Sequence, residues 1–271
     1  MKTVVITGSA RGFGFSMLEL FYKKGYNVVI CDINEKMIEE AKKKLESLEL
    51  ENLVLAYRCD VTNEEHVKNL IKAVLKKVDT IDIWINNAGV NQPSKYIWEL
   101  DEVTIDRVID IDLKGSIISS KCILKTMLKQ GFGQIYNVEG HGSNDAKITG
   151  LTLYGTAKRG LTYFTESLGK EIDEINKRTK SKICIGKITP GIMITNFLNK
   201  ALGDGEKIEL DEKTKNIYNI LGDYPETIAK YMVKRIARNK RNNVKFTWLT
   251  TKRAMFRFIK SLFGKKNNYF E

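Results

Sequence analysis

Short, nearly unbroken apolar runs alternate along the chain with longer stretches in which apolar side chains recur every three or four positions. "KTVVIT", "NVVIC", "LVLAYRC", "IDIWIN", "GQIYNV" and "SKICIGKI" are of the first kind, and Val244 to Leu249 ("VKFTWL") adds a seventh. Runs this short and this rich in β-branched residues read as strands, and their lack of in-out alternation reads as burial on both faces. Helical patterns fill the gaps. Strand and helix in turn make βαβ units, so the pattern predicts an α/β fold, a doubly wound parallel sheet of seven strands with helices on both faces. In such sheets ligands bind beyond the carboxyl ends of the strands, which directs attention to the residues that follow each run.

The 271 residues, 42% of them hydrophobic, suffice for one sizeable core, and the even spread of apolar segments places it in one domain, residues 1–250, followed by a short tail, 251–271. The opening "MKTVVITG" enters a strand at once, leaving no room for a signal peptide, and no apolar run is long enough to cross a bilayer. A cytoplasmic protein is expected. Cys31, Cys59, Cys122 and Cys184 form no C-x-x-C pair, so reduced thiols in a core are expected and no metal site.

The formal net charge of +12 raises nucleic-acid binding, but the charge is not spread over the domain: thirteen Lys and Arg against two Glu fall between Glu226 and Glu271. With no stacking aromatic platform, a nucleic-acid partner is not expected. On a helix, Met255, Phe256, Phe258, Ile259, Leu262 and Phe263 of this tail gather on one side, and Arg253, Arg257 and Lys260 on the other. Two roles fit. The helix can lie on an anionic membrane, making the protein membrane-associated, or its apolar face can dock on the domain or on a second subunit of a homo-dimer or tetramer.

Chemistry enters after the first strand, where "TGSARGFG" (7–14) leads into the helical "FSMLELFYKKG". Glycines at 8, 12 and 14 let the backbone turn sharply and approach a pyrophosphate, whose charge is favoured by the following helix N-terminus. Between a strand and a helix this stretch sits where a dinucleotide-binding (Rossmann) loop must, the other reading being a tight βα turn with no ligand, and Gly8, Ser9, Arg11, Gly12, Phe13 and Gly14 would meet the dinucleotide. Asp32, at the end of the second strand, can accept from adenosine ribose hydroxyls and repel a 2′-phosphate, which favours NAD; it can also merely cap a helix. Arg11 pulls toward NADP, since a guanidinium can pair with that phosphate. NAD is the expected cofactor, with NADP as the alternative.

"LTLYGTAKRG" (151–160) places Tyr154 and Lys158 four apart at the start of a helix, one above the other. "TGSARGFG", "CDV" (59–61), "NNAG" (86–89), this pair and "PGIMIT" (190–195) occur in the order and spacing of the short-chain dehydrogenase/reductase family, which the chain therefore resembles from Thr3 to about Thr195. "WINNAGVN", "NVEGHGSND" and "YPETIAKYMVKRI" further resemble its chlorophyll b reductase branch. The resemblance implies that Asp60 and Val61 hold the adenine, that Asn87, Ala88 and Gly89 pack against the cofactor, and that Pro190, Gly191, Ile192 and Thr195 embrace the nicotinamide and its phosphates. It implies that Tyr154 exchanges a proton with the substrate oxygen and that Lys158 assists it and reaches the nicotinamide ribose. A free phenol, with a pKa of about 10, is a poor base at neutral pH. A cation about 4 Å away contributes on the order of 4 kcal/mol at an effective dielectric near 20, so Lys158 is expected to bring the phenol toward working pH.

Two positions depart from the family pattern. The serine usually about 13 residues before the tyrosine is replaced by His141, and Ser143 is the nearest hydroxyl; the branch resemblance implies Ser143 as the oxygen ligand. Asp112, in "IDLKGS", stands where the family has an asparagine that orders a relay water; a carboxylate there would raise the proton affinities of Tyr154 and Lys158. The expectation is an enzyme transferring hydride between a nicotinamide cofactor and a small carbonyl or alcohol. The alternative is a non-catalytic dinucleotide-binding regulator on the same scaffold. Residues 199–224 are expected to form the substrate lid.

Overall fold

A computed structural model of the protein describes residues 1–194, 212–264, 267 and 269. The seven apolar runs become β1 (Thr3–Thr7), β2 (Asn27–Asp32), β3 (Val54–Arg58), β4 (Ile83–Asn86), β5 (Phe132–Val138), β6 (Lys182–Thr189) and β7 (Val244–Thr247). They pair in the order β3-β2-β1-β4-β5-β6-β7, every pair parallel, with Val5 registered on Val29 on one side and Trp84 on the other. The doubly wound sheet expected from the sequence is the observed one. Its chain leaves β1 toward β3 on one side and resumes at β4 on the other, so the order reverses between β1 and β4 and a crevice opens beyond their carboxyl ends.

Parallel pairing requires crossovers, supplied here by α1 (Gly12–Tyr22), α2 (Glu35–Glu46), α3 (Glu64–Leu75), α4 (Glu102–Ile109), α5 (Ser116–Gln130), α6 (Thr152–Thr179), α7 (Glu212–Leu221) and α8 (Pro225–Ile236). Alternate strand residues serve opposite cores: Val4, Ile6, Val28 and Ile30 pack with Met17 and Phe21 of α1 and Met232 of α8, whereas Val5, Val29 and Trp84 pack with Val67 of α3, Ile123 of α5 and Leu168 of α6. Burial on both faces is why the runs are unbroken rather than alternating. The four cysteines are free and buried. A chain of buried amides ties the centre of the sheet to α6, from Trp84 Nε1 to Asn86 (2.8 Å), Asn86 to Asn137 (2.7 Å) and Asn137 to Thr165 (2.8 Å).

Between α4 and α5 the backbone adopts one π-helical segment, Asp110–Gly115, so that the two helices form one rod with a bulge in it. Such bulges re-aim side chains within an otherwise regular helix and cluster at functional sites. Asp112 lies in this one.

The tail forms α9 (Thr251–Leu262), its N-terminus capped by Thr250. Of the roles the tail pattern allows, docking of the apolar side on the domain is not the arrangement observed. Arg257 and Arg253 face the domain, while the apolar residues from Met255 to Phe263 remain exposed. The reason is tertiary: the Asp223 carboxylate and the Trp248 ring offer partners to the guanidinium groups. No helix among the described residues is long and apolar enough to cross a membrane. Of the expected lid, 212–221 is helix α7; Thr195 and residues 199–211 lie outside the described residues.

Candidate active site

The crevice at the sheet's reversal is a cavity of about 580 Å³. Its first wall is the glycine loop. Gly8 has φ +61°, and a Cβ there would lie 2.7 Å from Ala88 Cα, against backbone that cannot easily give way. Gly12 has φ +58° and faces open space. Helices α2, α3 and α4 are capped by Asn34, Asn63 and Asp101, but Arg11 at the head of α1 makes no side-chain cap bond. The first-turn N–H groups of α1 are therefore left for an anion beside a loop whose glycines let the backbone come close, a fit for a pyrophosphate. Arg11, Gly12, Phe13 and Gly14 line the cavity with Gly8. Ser9 serves the loop instead: it is buried, donates to Ile6 O at 2.6 Å and accepts from the Cys31 N–H at 3.2 Å.

Asp32 lines the cavity at the end of β2, accepting from the N–H groups of Ile33 (2.8 Å), Asn34 (3.3 Å) and Ala10 (3.3 Å). It holds the turn and the glycine loop together, and a carboxylate has further lone pairs for a ribose. Asp60 and Val61 line the same end, with Asp60 accepting from the Thr62 N–H (2.9 Å) and hydroxyl (2.7 Å). The turn after β4 is clamped to the glycine loop: the N–H groups of Asn87 and Ala88 both donate to Thr7 Oγ1 at 3.0 Å, and the Asn87 amide donates to Thr7 O and Gly8 O at 3.0 Å. Gly89 follows, where a Cβ would meet Asp112 Oδ1 at 2.6 Å.

On the inner wall, α6 delivers Tyr154 and Lys158, and the π bulge delivers Asp112. Lys158 Nζ lies 2.7 Å from Asp112 Oδ1 and 5.5 Å from the Tyr154 ring centroid, with the lysine and aspartate side chains only 8% and 0% exposed. Asp112 Oδ2 accepts from the Val90 N–H at 3.2 Å. Burial raises the Asp112 carboxyl above its ordinary range, against the opposing pull of Lys158. Burial would lower the Lys158 ammonium, but Asp112, Tyr154 and the more distant Glu139 carry it above its usual value. For Tyr154 burial raises the phenol, Lys158 lowers it and Asp112 raises it again, leaving it above its ordinary value. The sequence-based expectation that Lys158 would draw the phenol toward neutrality thus meets two opposing effects, desolvation and the aspartate that shares the lysine's charge.

The loop after β5 packs tightly on α6. A Cβ at Gly140 would overlap the Tyr154 hydroxyl, and one at Gly142 (φ +92°) would lie 2.6 Å from Gly155 Cα. Ser143 is buried; its Oγ accepts from the Gly140 N–H at 3.3 Å and donates to Lys158 O at 3.5 Å, and it is not part of the cavity wall. His141 is also outside the wall, its Nε2 buried without a hydrogen-bond partner among the described residues and its pKa lowered by burial. Pro190, Gly191 and Ile192 follow β6 without lining the cavity; Ile192 O accepts from the Asp223 N–H at 3.1 Å, and the next residues, Met193 and Ile194, are the ones that reach the wall. Thr195 lies outside the described residues.

Two residues absent from the sequence reading organise this wall. Gln92, 1% exposed, accepts from the Tyr154 N–H at 2.7 Å and donates to Gly150 O at 2.5 Å, capping α6 at the tyrosine. Glu139, its side chain fully buried, accepts from Thr162 (2.9 Å) and Thr189 (2.6 Å) and pairs with Lys245 Nζ at 2.9 Å. An acid directly after the apolar strand "GQIYNV" was a visible signal for Glu139. Gln92 had none, because its partners lie about sixty residues away.

The sequence pattern described as short chain dehydrogenase matches residues 2–205. The chain is 31% identical over 274 residues to a chlorophyll(ide) b reductase of Oryza sativa subsp. japonica, covering 98% of this chain and 76% of that protein. It is 30% identical over 274 residues to a probable chlorophyll(ide) b reductase of the same plant, covering 95% of this chain and 52% of that one. The chain thus spans about half the length of some relatives it matches. Among solved structures, a levodione reductase superposes with a TM-score of 0.77 at 22% identity, covering 91% of this chain and 96% of that one, a likeness of fold.

Proposed function

Because the chain belongs to the short-chain dehydrogenase family, a family of NAD(P)-dependent oxidoreductases, we propose that it transfers hydride between a nicotinamide cofactor and a small carbonyl or alcohol, with Tyr154 as the proton donor or acceptor. The observation that carries this reading is the buried Tyr154, Lys158 and Asp112 cluster on the wall of the cavity that the glycine loop opens. The bound cofactor would supply or receive the hydride. Gly8, Gly12, Gly14 and the uncapped head of α1 would hold its pyrophosphate, Asp32 its adenosine ribose, and Asp60 and Val61 its adenine.

Tyr154 gives its proton to the carbonyl oxygen in reduction and takes it back in oxidation. A raised phenol pKa keeps the proton on Tyr154 at neutral pH, which suits reduction. Lys158 remains cationic through its Asp112 partner, and its charge favours the phenolate that reduction leaves behind. Asp112 and the Val90 N–H it holds fix the lysine's position. Ser143 would help to hold the substrate oxygen only after releasing its bonds to Gly140 and Lys158. That commitment favours, as the second reading, a dinucleotide-binding regulator without turnover.

Asp32 favours NADH over NADPH, with Arg11 opposing. Titration with each reduced cofactor should give tighter NADH binding, and Asp32→Ala should narrow the difference; tighter NADPH binding by the unmodified protein would transfer the choice to Arg11. A screen of carbonyls followed by loss of reduced-nicotinamide absorbance should then find turnover. Tyr154→Phe should lower it by about 10²–10⁴-fold with cofactor affinity nearly unchanged. A variant that keeps most of its activity would remove Tyr154 from the chemistry, and tight cofactor binding with no turnover on any carbonyl or alcohol would favour the regulator.

A further inference from the structure

Helix α9 turns Arg253 and Arg257 inward. Arg257 Nη1 lies 2.7 Å from Asp223 Oδ2 and donates to Leu221 O at 3.0 Å; Arg253 donates to Trp248 O at 2.7 Å, with its guanidinium 3.9 Å from the Trp248 ring centroid. These contacts fix the rotation of the helix about its own axis, and so the direction of its other side. Met255, Phe256, Phe258, Ile259, Leu262 and Phe263 all remain exposed, Leu262 at 82% and Phe263 at 77%. Single exposed apolar residues are ordinary, but a contiguous row held outward by anchored arginines is a candidate for an interaction surface.

Charge selects the occupant. Between Glu226 and Glu271 there are thirteen Lys and Arg and no acidic residue other than those two glutamates. Lys260 Nζ lies 4.7 Å from the Phe256 ring centroid, so the apolar row carries an ammonium beside it, and Lys252 is exposed at the start of the helix. A second copy joined through this face would oppose one cationic helix with another, without acids in the segment to offset the repulsion. A lipid surface bearing anionic headgroups satisfies both features at once. Apolar side chains enter the acyl boundary while lysines remain at headgroup level.

We propose that α9 is a peripheral anchor for anionic membranes, inserting its row from Met255 to Phe263 while Arg253 and Arg257 bind it to the domain. Its anchor, Asp223, directly precedes Tyr224, Pro225 and Glu226 of the cavity wall, so the lipid-facing helix is fixed to the rim of the proposed active site.

Flotation of the full chain with vesicles of phosphatidylglycerol and phosphatidylcholine, and with vesicles of phosphatidylcholine alone, tests this. Binding should favour the anionic vesicles and fall at least about tenfold between about 0.05 M and about 0.5 M salt. The double variant Phe256→Ser/Leu262→Ser, at two positions exposed in the free protein, should lose vesicle binding at least about tenfold while keeping Tm and cofactor affinity. Absence of binding, or equal binding to both kinds of vesicle, overturns the proposal. So does a double variant that still binds lipid but halves the oligomeric mass in light scattering, which would give the face to a second copy.

Discussion

Asp112 and Lys158 hold opposite charges 2.7 Å apart where water scarcely reaches. Removing one partner of such a pair leaves the other buried and uncompensated, which typically costs about 3–5 kcal/mol. Lys158→Ala should therefore lose that much stability in chemical denaturation, beyond any effect on turnover; a loss below about 1 kcal/mol would mean that the pair is better solvated than its burial implies. The aspartate has a separate effect on Tyr154. In alcohol oxidation the phenol must first be deprotonated, so the rate rises with pH through the Tyr154 pKa. Burial raises that pKa and Asp112 raises it further, so Asp112→Asn should move the rising limb of the oxidative pH profile to lower pH. An unmoved or upward-moved limb would show that the aspartate's charge does not reach the phenol.

At the scale of elements, the position of Tyr154 depends on a cap that comes from another loop. Helix α6 has no side-chain cap at Leu151, and Gln92 from the β4 loop satisfies the Tyr154 N–H and the Gly150 carbonyl together. Gln92→Ala should cost about 1–3 kcal/mol by leaving those groups unpaired in a buried place. It should also lower kcat, because the first turn of α6 carries the phenol; a stable variant with full activity would show that packing of Gly142 on Gly155 suffices to hold the turn. The π bulge makes the same point about an element. Only the local widening of the helix at Asp110–Gly115 aims Asp112 at Lys158.

Across the whole molecule, Glu139 connects the site to the far edge of the sheet. Thr162 on α6, Thr189 on β6 and Lys245 on β7 converge on its carboxylate. Lys245→Met should lower stability by about 1–3 kcal/mol, less than a fully buried pair would, because Lys245 is 37% exposed and two hydroxyls remain on the glutamate. In a double-mutant cycle with Glu139→Gln the two losses should be clearly less than additive. Additive losses would mean that β7 and the site wall are energetically independent.

The order of strands and helices was legible because burial on both faces of a parallel sheet leaves unbroken apolar runs, and crossover helices leave three-to-four periodicity between them. The glycine loop was legible for a related reason: Gly8 and Gly12 both have positive φ, and Gly8 also lies close against Ala88, so the requirement is written in the residue type. The Tyr154 and Lys158 juxtaposition followed from helical spacing alone. Whatever depended on a partner distant in sequence was not legible. Gln92 reaches across 62 positions to Tyr154, Glu139 across 50 to Thr189, and Arg257 across 34 to Asp223. The amphipathic pattern of the tail defined two sides without saying which faces inward, and the tertiary structure decided it by setting a carboxylate and an indole where the arginines reach them. The direction of the Tyr154 pKa was decided there as well, because desolvation and the sharing of the Lys158 charge with Asp112 exist only once the chain has excluded water from the three side chains together.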